Sequence, residues 1–493
     1  MPSGVAASPI GRVWVIEVAV IWAVGGVRVS DVVGSGAKER FEWGNSLRET
    51  VPLASHAEWN PSPSRDPVGL VLGQDEGRLQ SLVPVRHQRM GASAFAFYRG
   101  SAIAMAADLA TTPASGIQAQ LCGDAHLSNF GLYGSPERRL VFDVNDFDET
   151  LPGPWEWDLK RLAASFVLAA RDLGFSDKAG RKAARDAART YREAMATFSS
   201  MRYLDIWYAQ VDVDSIQQDM IAAGKKEKKT KKKTKKKSNK TLDKARSKDS
   251  LKALRKLAVE VDGKYRIEPD PPFIVPLSDL QSDLHSDQDP DQIKADLEQA
   301  MDVYYATLSA STATLAGHYR MQDFALKVVG VGSVGTRSFM ALMEGRDQDD
   351  PLFLQVKEAD RSVLEAYLEP SAYPHSGQRV VEGQRLMQAS SDIFLGWTQA
   401  KTGDRHYYMR QMWDMKGSAD VDSFDPKELR SYGRACGWTL AHAHARSGSA
   451  TSTAGYLGDD DTFDSAIAAF AQAYADQIDV DYKAFMEAVN EGS

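Results

Sequence analysis

Two acidic turns and one glycine-rich turn hold the residues of greatest chemical promise in this chain. In CGDAHLSNFG, Asp124 and Asn129 stand five apart; Asp146 follows 22 residues later in NDFDE, and Asp158 lies 12 further on in WEWDLKRLA. An aspartate can accept a hydroxyl proton and orient a nucleophile. An asparagine amide oxygen and a second aspartate can hold Mg²⁺ against phosphates, where the metal neutralises charge on the transferring group. Hard oxygen ligands, few enough to leave room for water and phosphate, suit Mg²⁺. Phosphoryl transfer is the chemistry such a set could serve. Two acidic surface turns would look similar residue by residue, because Asp and Asn are common in turns. The ordered strand–loop–strand–helix setting argues against that bland reading. His126 has no second histidine at ligand spacing and reads as a structural loop residue.

A second set lies about two hundred residues downstream. KVVGVGSVGTRSF carries Gly330, Gly332 and Gly335 in a GxGxxG arrangement. A dinucleotide site would place a helix straight after such a turn, whereas RSFMALMEG reads as a strand. A glycine turn between two strands suits a cover over nucleotide phosphates. LFLQVKEA then puts Lys357 in an apolar strand near Leu354 and Val356, where an ammonium is costly unless paired. Its expected partners are the phosphates of ATP and a glutamate on the next helix. Glu382 in RVVEGQRLMQ is the preferred choice and Glu365 the second. The segment HYYMRQMWDMKGS reads as a junction: backbone groups around Gln411, Met412 and Trp413 are expected at adenine, with Asp414 and Lys416 toward ribose or substrate. The competing reading is an exposed edge-strand lysine beside a simple glycine hairpin.

The elements that must position these residues follow from periodicity. Small and apolar residues at helical spacing predict a helix over 92–110. GIQAQL and RRLVFDV alternate as strands, and WEWDLKRLAASFVLAARDLG is strongly helical with Gly174 as its stop. Residues 295–319 read as helix. ALKVVG, RSFMALMEG, PLFLQVKEA, IFLGWT and HYYMRQM read as strands, interrupted by one helix around Glu382. From Asp425 onward the pattern is helical. The resulting plan is an extension (1–46), a helical body (47–320), a β-rich lobe (321–416) and a helical tail (417–493). Residues 223–248, half of them lysine, read as a solvated insertion without the aromatic residues that would stack on bases.

The spacing GDxHxxN, then a strand ending in DFD, then an aspartate opening a helix, resembles the aminoglycoside-phosphotransferase branch of the kinase-like superfamily. That resemblance implies Asp124 as catalytic base and Asn129 and Asp146 as metal ligands. It implies Asp158 as support for the catalytic loop. Asp143 and Asp148 compete for the metal position; Asp146 fits the spacing to Asp158 best, and Asp148 is a candidate second contact. Cys122 stands where the superfamily usually has His or Tyr. The glycine loop follows the catalytic loop instead of preceding it. The expected fold is therefore α+β and protein-kinase-like, two-lobed and circularly permuted, with the tail helix GRACGWTLAHAHARSG returning to the body near 92–110. From about Leu47 onward the chain also resembles the bacterial domain of unknown function 2252 family, through LVPVRHQRMGASAFAFYRG, the CGDAHLSNFG to LKRLAAS stretch, the glycine loop, LFLQVKEA, VVEGQRLMQASSD and RQMWDMKGSAD. That family commonly shows Ser-Pro-Phe where this chain has Ser93-Ala94-Phe95. The stretch, Arg99 included, has no role assigned by the resemblance.

Composition narrows the partners. The formal net charge of −8 gives no bulk attraction to nucleic acid or anionic membrane. Two cysteines cannot build a disulfide framework, which suits a reduced, cytoplasmic setting. The apolar stretch from Val13 is short for a membrane span and contains Glu17. The expectation is an ATP- and Mg²⁺-dependent phosphotransferase acting on a hydroxyl of a small molecule. Its rivals are a protein kinase or nucleotidyl transferase on the same fold, a nucleotide-binding pseudokinase, and a nucleic-acid binder using the lysine tract.

Overall fold

The computed structural model describes residues 36–211, 250–277, 290–328, 330–399, 405–412 and 415–491. The apolar stretch from Val13, the lysine tract at 223–248, and Trp413 and Asp414 lie outside the described residues. Five helices come first: α1 (Ala37–Ser46), α2 (Pro67–Gly73), α3 (Val83–Met90), α4 (Ala94–Gly100) and α5 (Ala102–Leu109). The helix expected over 92–110 is thus two. Ser93 caps α4 by accepting from the Ala96 amide, and Ser101, at φ −118° and ψ 39°, breaks the run. Four short strands follow: β1 (Gln118–Leu121), β2 (Phe130–Gly134), β3 (Leu140–Val144) and β4 (Leu151–Pro154). Then come α6 (Glu156–Asp172), α7 (Asp177–Phe198) and α8 (Tyr203–Tyr208). β1 pairs with β4, and β2 with β3, all antiparallel.

The next elements are α9 (Ser250–Leu257), β5 (Ala258–Val261), β6 (Lys264–Ile267), β7 (Ile274–Pro276), α10 (Pro290–Thr307) and α11 (Ala310–Ala316). β8 (Arg320–Lys327), β9 (Ser338–Glu344), β10 (Pro351–Ala359), α12 (Ser376–Met387), β11 (Gly396–Gln399) and β12 (His406–Gln411) complete this part. They build a six-stranded antiparallel sheet in the order β11-β12-β10-β9-β8-β7. Successive strand residues point to opposite faces, and here both faces are covered. Phe339, Ala341, Leu354 and Val356 pack with Tyr304 of α10 and with Leu308 just after it. Met340, Leu342 and Phe353, one residue out of phase, pack with Ala253, Leu254 and Leu257 of α9. Lobe membership therefore corrects the boundary drawn from sequence. Described residues from 250 to 320 belong with this sheet, not with the helical body. The helical pattern of residues 295–319 announced a helix but not which partner would bury it.

The chain returns through β13 (Gly417–Ser418), which adds to the edge of β2. Three helices end it: α13 (Pro426–Ser447), α14 (Ala450–Leu457) and α15 (Thr462–Glu491). Asp425 starts α13 as a capping box with Glu428, with Pro426 in the first turn. α13 packs chiefly on α7, and it is α15 that reaches α4. The tail does rejoin the body, but through a different helix from the one expected beside residues 92–110. The α13–α7 contact is close because both faces are small. Buried Ala183 and Ala187 of α7 meet Gly433 and Gly437 of α13. A Cβ on Gly437 would sit 2.2 Å from the Ala187 carbonyl oxygen. Replacing Gly437 with Ala should therefore push the helices apart and destabilise the protein by about 1–3 kcal/mol, read as a lower urea midpoint at unchanged slope.

Candidate active site

Asp124 and Asn129 lie on the loop between β1 and β2, and that loop is held from below. Asp158, in the first turn of α6 and 1% exposed, accepts from the Cys122 amide at 2.8 Å and the Gly123 amide at 3.0 Å. His444 of α13 stands 3.2 Å from the same carboxylate. Ser165 Oγ accepts from the Leu127 amide at 3.0 Å, and the Tyr432 hydroxyl donates to the Leu127 and Phe130 carbonyls. Gly123 has φ +83°, and a Cβ there would meet the Glu149 carbonyl oxygen at 2.3 Å. The turn and the close approach both require glycine.

Within this frame the Arg161 guanidinium grips the Asp124 carboxylate, with Nε at 2.8 Å and Nη2 at 2.6 Å from Oδ1. Arg161 is itself buried and stacked 3.9 Å over the Tyr98 ring. The Asn129 side-chain amide donates to the Asp124 carbonyl at 2.8 Å, which fixes the rotamer and leaves the amide oxygen as its outward group. His126 Nε2 is 3.6 Å from Asp124 Oδ2. Burial, then Arg99 and Arg161, push this imidazole well below its ordinary pKa, so it is neutral.

The acidic stretch after β3 sorts itself by partner. Asp143 is buried under the loop, accepting from the Val144 and Ala389 amides at 2.8 Å each. It faces neither Asn129 nor the glycine loop. Asp148 accepts from Lys357 at 2.5 Å and from the Tyr408 hydroxyl at 2.7 Å. Asp146 lies 3.8 Å from the same ammonium. Burial works against charge on all three groups. Even so, Lys357 holds Asp148 below the usual carboxylate range, while burial and the Asp148 charge push Asp146 up. Lys357, 3% exposed on β10, in turn holds its proton tightly, because Asp146 and Asp148 outweigh its burial.

Glu382 is not the partner of Lys357. It pairs with Arg385 at 3.0 Å on its own helix, and Asp148 takes its place. Glu365, the second choice, pairs with Arg361 and closes a capping box with Ser362. α12 reaches the site through Arg379 instead, which donates to the carbonyls of Thr150 at 2.7 Å and of Asp148 and Asp360 at 2.8 Å. The junction also differs from expectation. The Gln411 amide donates to the Asp392 carboxylate, and the Met412 amide to the Phe353 carbonyl at 2.8 Å. Met412 is packed into the sheet's back core. Neither N–H is open to a base.

The glycine loop joins β8 to β9 and folds down onto the helical body. Arg89 donates to the Gly330 carbonyl at 2.6 Å, Arg78 to the Val334 carbonyl at 2.5 Å, and the Leu79 amide to the Gly335 carbonyl at 2.8 Å. Gly330 and Gly335 have φ +68° and +88°. The result is a cleft between the lobes, about 1060 Å³ when its mouth, open to solvent, is counted. Asp124, Asn129, Asp146 and Asp148 form one wall; Gly330 and Gly332 form another. Gly335, Lys357 and Asp158 stand behind these walls, while Glu382, Gln411 and Met412 lie elsewhere.

A model of the family described as an uncharacterized protein conserved in bacteria (DUF2252) matches residues 78–488. The chain belongs to this family. No curated protein and no solved structure matches it. The family segment begins at Arg78, the residue that clamps the glycine loop. Sequence reasoning missed Arg161, Arg379 and Tyr432. Only Arg161 carried a signal: it sits three residues after Asp158, on the same face of α6.

Two outcomes are expected. Asp158→Ala leaves the Cys122 and Gly123 amides without an acceptor and should cost about 2–4 kcal/mol in urea unfolding. Burial pushes Asp143 up from 3.8 to about 6, against the two amides that favour its charge. A carboxyl with a raised native pKa binds its proton more tightly when folded. Its contribution is full below about pH 4 and is lost as pH rises through 6. The unfolding free energy of wild type relative to Asp143→Asn should fall over that window; a constant difference from pH 4 to 7.5 would contradict the assignment.

Proposed function

We propose that this chain is a Mg²⁺- and ATP-dependent phosphotransferase of protein-kinase-like, circularly permuted plan, moving the γ-phosphoryl group to a hydroxyl of a small molecule. One observation carries the reading. A carboxylate–amide pair from the helical body and a glycine loop from the β-rich lobe face each other across one cleft, with Lys357 bound to the acids from behind their wall. The strand order supports it: glycine loop between the first two strands of the run β8–β12, lysine on the third, helix next.

The residues present suit the implied metal. The Asn129 amide oxygen and the Asp146 carboxylate, a third exposed, are two hard oxygens on the cleft wall. Mg²⁺ takes few protein ligands and completes its shell with phosphate and water. Bound there, it would supply charge neutralisation. Asp148, with Lys357 and Tyr408 on its two oxygens, serves as the lysine's counter-ion. When nucleotide binds, Lys357 would exchange part of that pairing for phosphate oxygens. Asp124 is oriented by Arg161 with one oxygen left toward the cleft. It is placed to take the acceptor hydroxyl's proton as that oxygen bonds to phosphorus and ADP leaves. Positioning and charge do the work; no covalent enzyme adduct is needed.

Thermal unfolding with Mg-ATP tests this directly. Ligand at about a hundred times its dissociation constant should add about 2.7 kcal/mol. The gain should require Mg²⁺ and vanish in Asp146→Asn. Asp124→Asn should keep nucleotide binding and lower turnover about 10²–10⁴-fold. Mass spectrometry of the product should show a gain of phosphate. A gain of nucleotide would make the chain a nucleotidyl transferase, and no stabilisation by any nucleotide would sink the reading.

A further inference from the structure

The charged groups of the cleft are nearly all accounted for. Asp124 is held by Arg161, Asp148 by Lys357, and Glu358 by Arg337 and Arg405. Among the cations that line the cleft, Arg78 is tied to the glycine loop and Arg361 to Glu365. Arg99, at the end of α4, differs. It makes no hydrogen bond and no ion pair with any described residue, and its Nε is buried without a partner. Its guanidinium lies 5.8 Å over the Phe95 ring, an apolar support that supplies no acceptor for its donors. Burial pushes it down from the usual arginine range, and the charge that most offsets this is Asp124.

Such a group is costly as it stands. A buried Nε–H without an acceptor costs free energy until a partner fills it, and the rest of the fork lines the cleft from which such a partner would come. The Arg99 backbone carbonyl lies under the glycine loop, 3.3 Å from where a Gly332 Cβ would be. The side chain lines the cleft along with Asp124 and His126. Asp124 is the anion that acts on it most strongly. A planar fork matches carboxylate or phosphate oxygens in pairs.

We propose that Arg99 is an acceptor-binding residue, and that the acceptor is a hydroxyl compound carrying a phosphate or carboxylate that docks on this guanidinium beside Asp124. The proposal rests on the phosphotransferase reading for the word acceptor, but the anion site itself can be measured without it. The cations serving the nucleotide and those serving the acceptor are then separate: Lys357 for one, Arg99 for the other.

Inorganic phosphate is the probe, titrated calorimetrically into the full chain alone, with saturating Mg-ADP, and with a saturating non-hydrolysable ATP analogue. Wild type should bind phosphate in all three conditions. Arg99→Gln should lose about tenfold or more in phosphate affinity while its nucleotide affinity stays unchanged. Arg99→Lys, which keeps the charge and loses the fork, should fall between, and serves if the Gln variant fails to fold. Phosphate binding through Arg99 in a chain that binds no nucleotide would uphold the anion site while the phosphotransferase reading failed. Displacement of phosphate by the ATP analogue but not by ADP would overturn the proposal, because the guanidinium would then belong to the transferring group. Equal phosphate affinity in wild type and Arg99→Gln, or none in wild type, would overturn it as well.

Discussion

Lys357 is buried in the middle of a six-stranded sheet, and a buried ammonium must have an anion. Breaking such a pair by removing one partner typically costs about 3–5 kcal/mol. The anion comes from the other half of the molecule. Asp148 and Asp146 leave β3 on a turn that the sheet cannot supply for itself. Much of the architecture meets this one requirement. Tyr408, across the strand pair from Lys357, fixes the second oxygen of Asp148. Arg410 on the same strand reaches the Asn145 carbonyl, and Arg379 of α12 holds the Asp148 and Thr150 carbonyls. The acidic turn is thereby bound to the β-rich lobe while its neighbours remain strands of the helical body. The cleft is the space this bridging leaves open.

The other wall is fixed from a different direction. The residues before β1 reach over to the glycine loop and hold its carbonyls, so the loop's height above Asp124 is set by arginines of the body. A loop so held keeps its shape without ligand, which lowers the ordering cost of binding. The loop that carries Asp124 and Asn129 is supported in the same manner by side chains that do not enter the cleft: Asp158, Ser165 and Tyr432.

What could be read in the sequence was what residue type alone announces. An Asp five before an Asn, three glycines between strands and a lysine in an apolar strand each break the local pattern, and each proved to lie at or behind the cleft. What could not be read was phase and partner. Glu382 sits one residue from Gly383, whose missing Cβ lets α12 approach Thr150. One residue turns a helix by about 100°, so Arg379, four residues before Gly383, faces the acidic turn and Glu382 does not. The amides of Gln411 and Met412 were also beyond reach, because their acceptors, Asp392 and the Phe353 carbonyl, come from other elements. The helical pattern of residues 295–319 gave no sign of which lobe would cover it.

The struts under the Asp124–Asn129 loop bear on how the molecule comes into being. Tyr432 is 305 residues from Leu127, and His444 is 286 from Asp158. Closing such long loops is entropically slow, and a chain emerges from the ribosome from its N-terminus. The helical body made first lacks these two contacts, and α7 lacks its close-packed neighbour α13. Until α13 has been made, the nascent chain therefore carries an unfinished core and an Asp124–Asn129 loop without its last struts. The loop is fully braced only once α13 has docked.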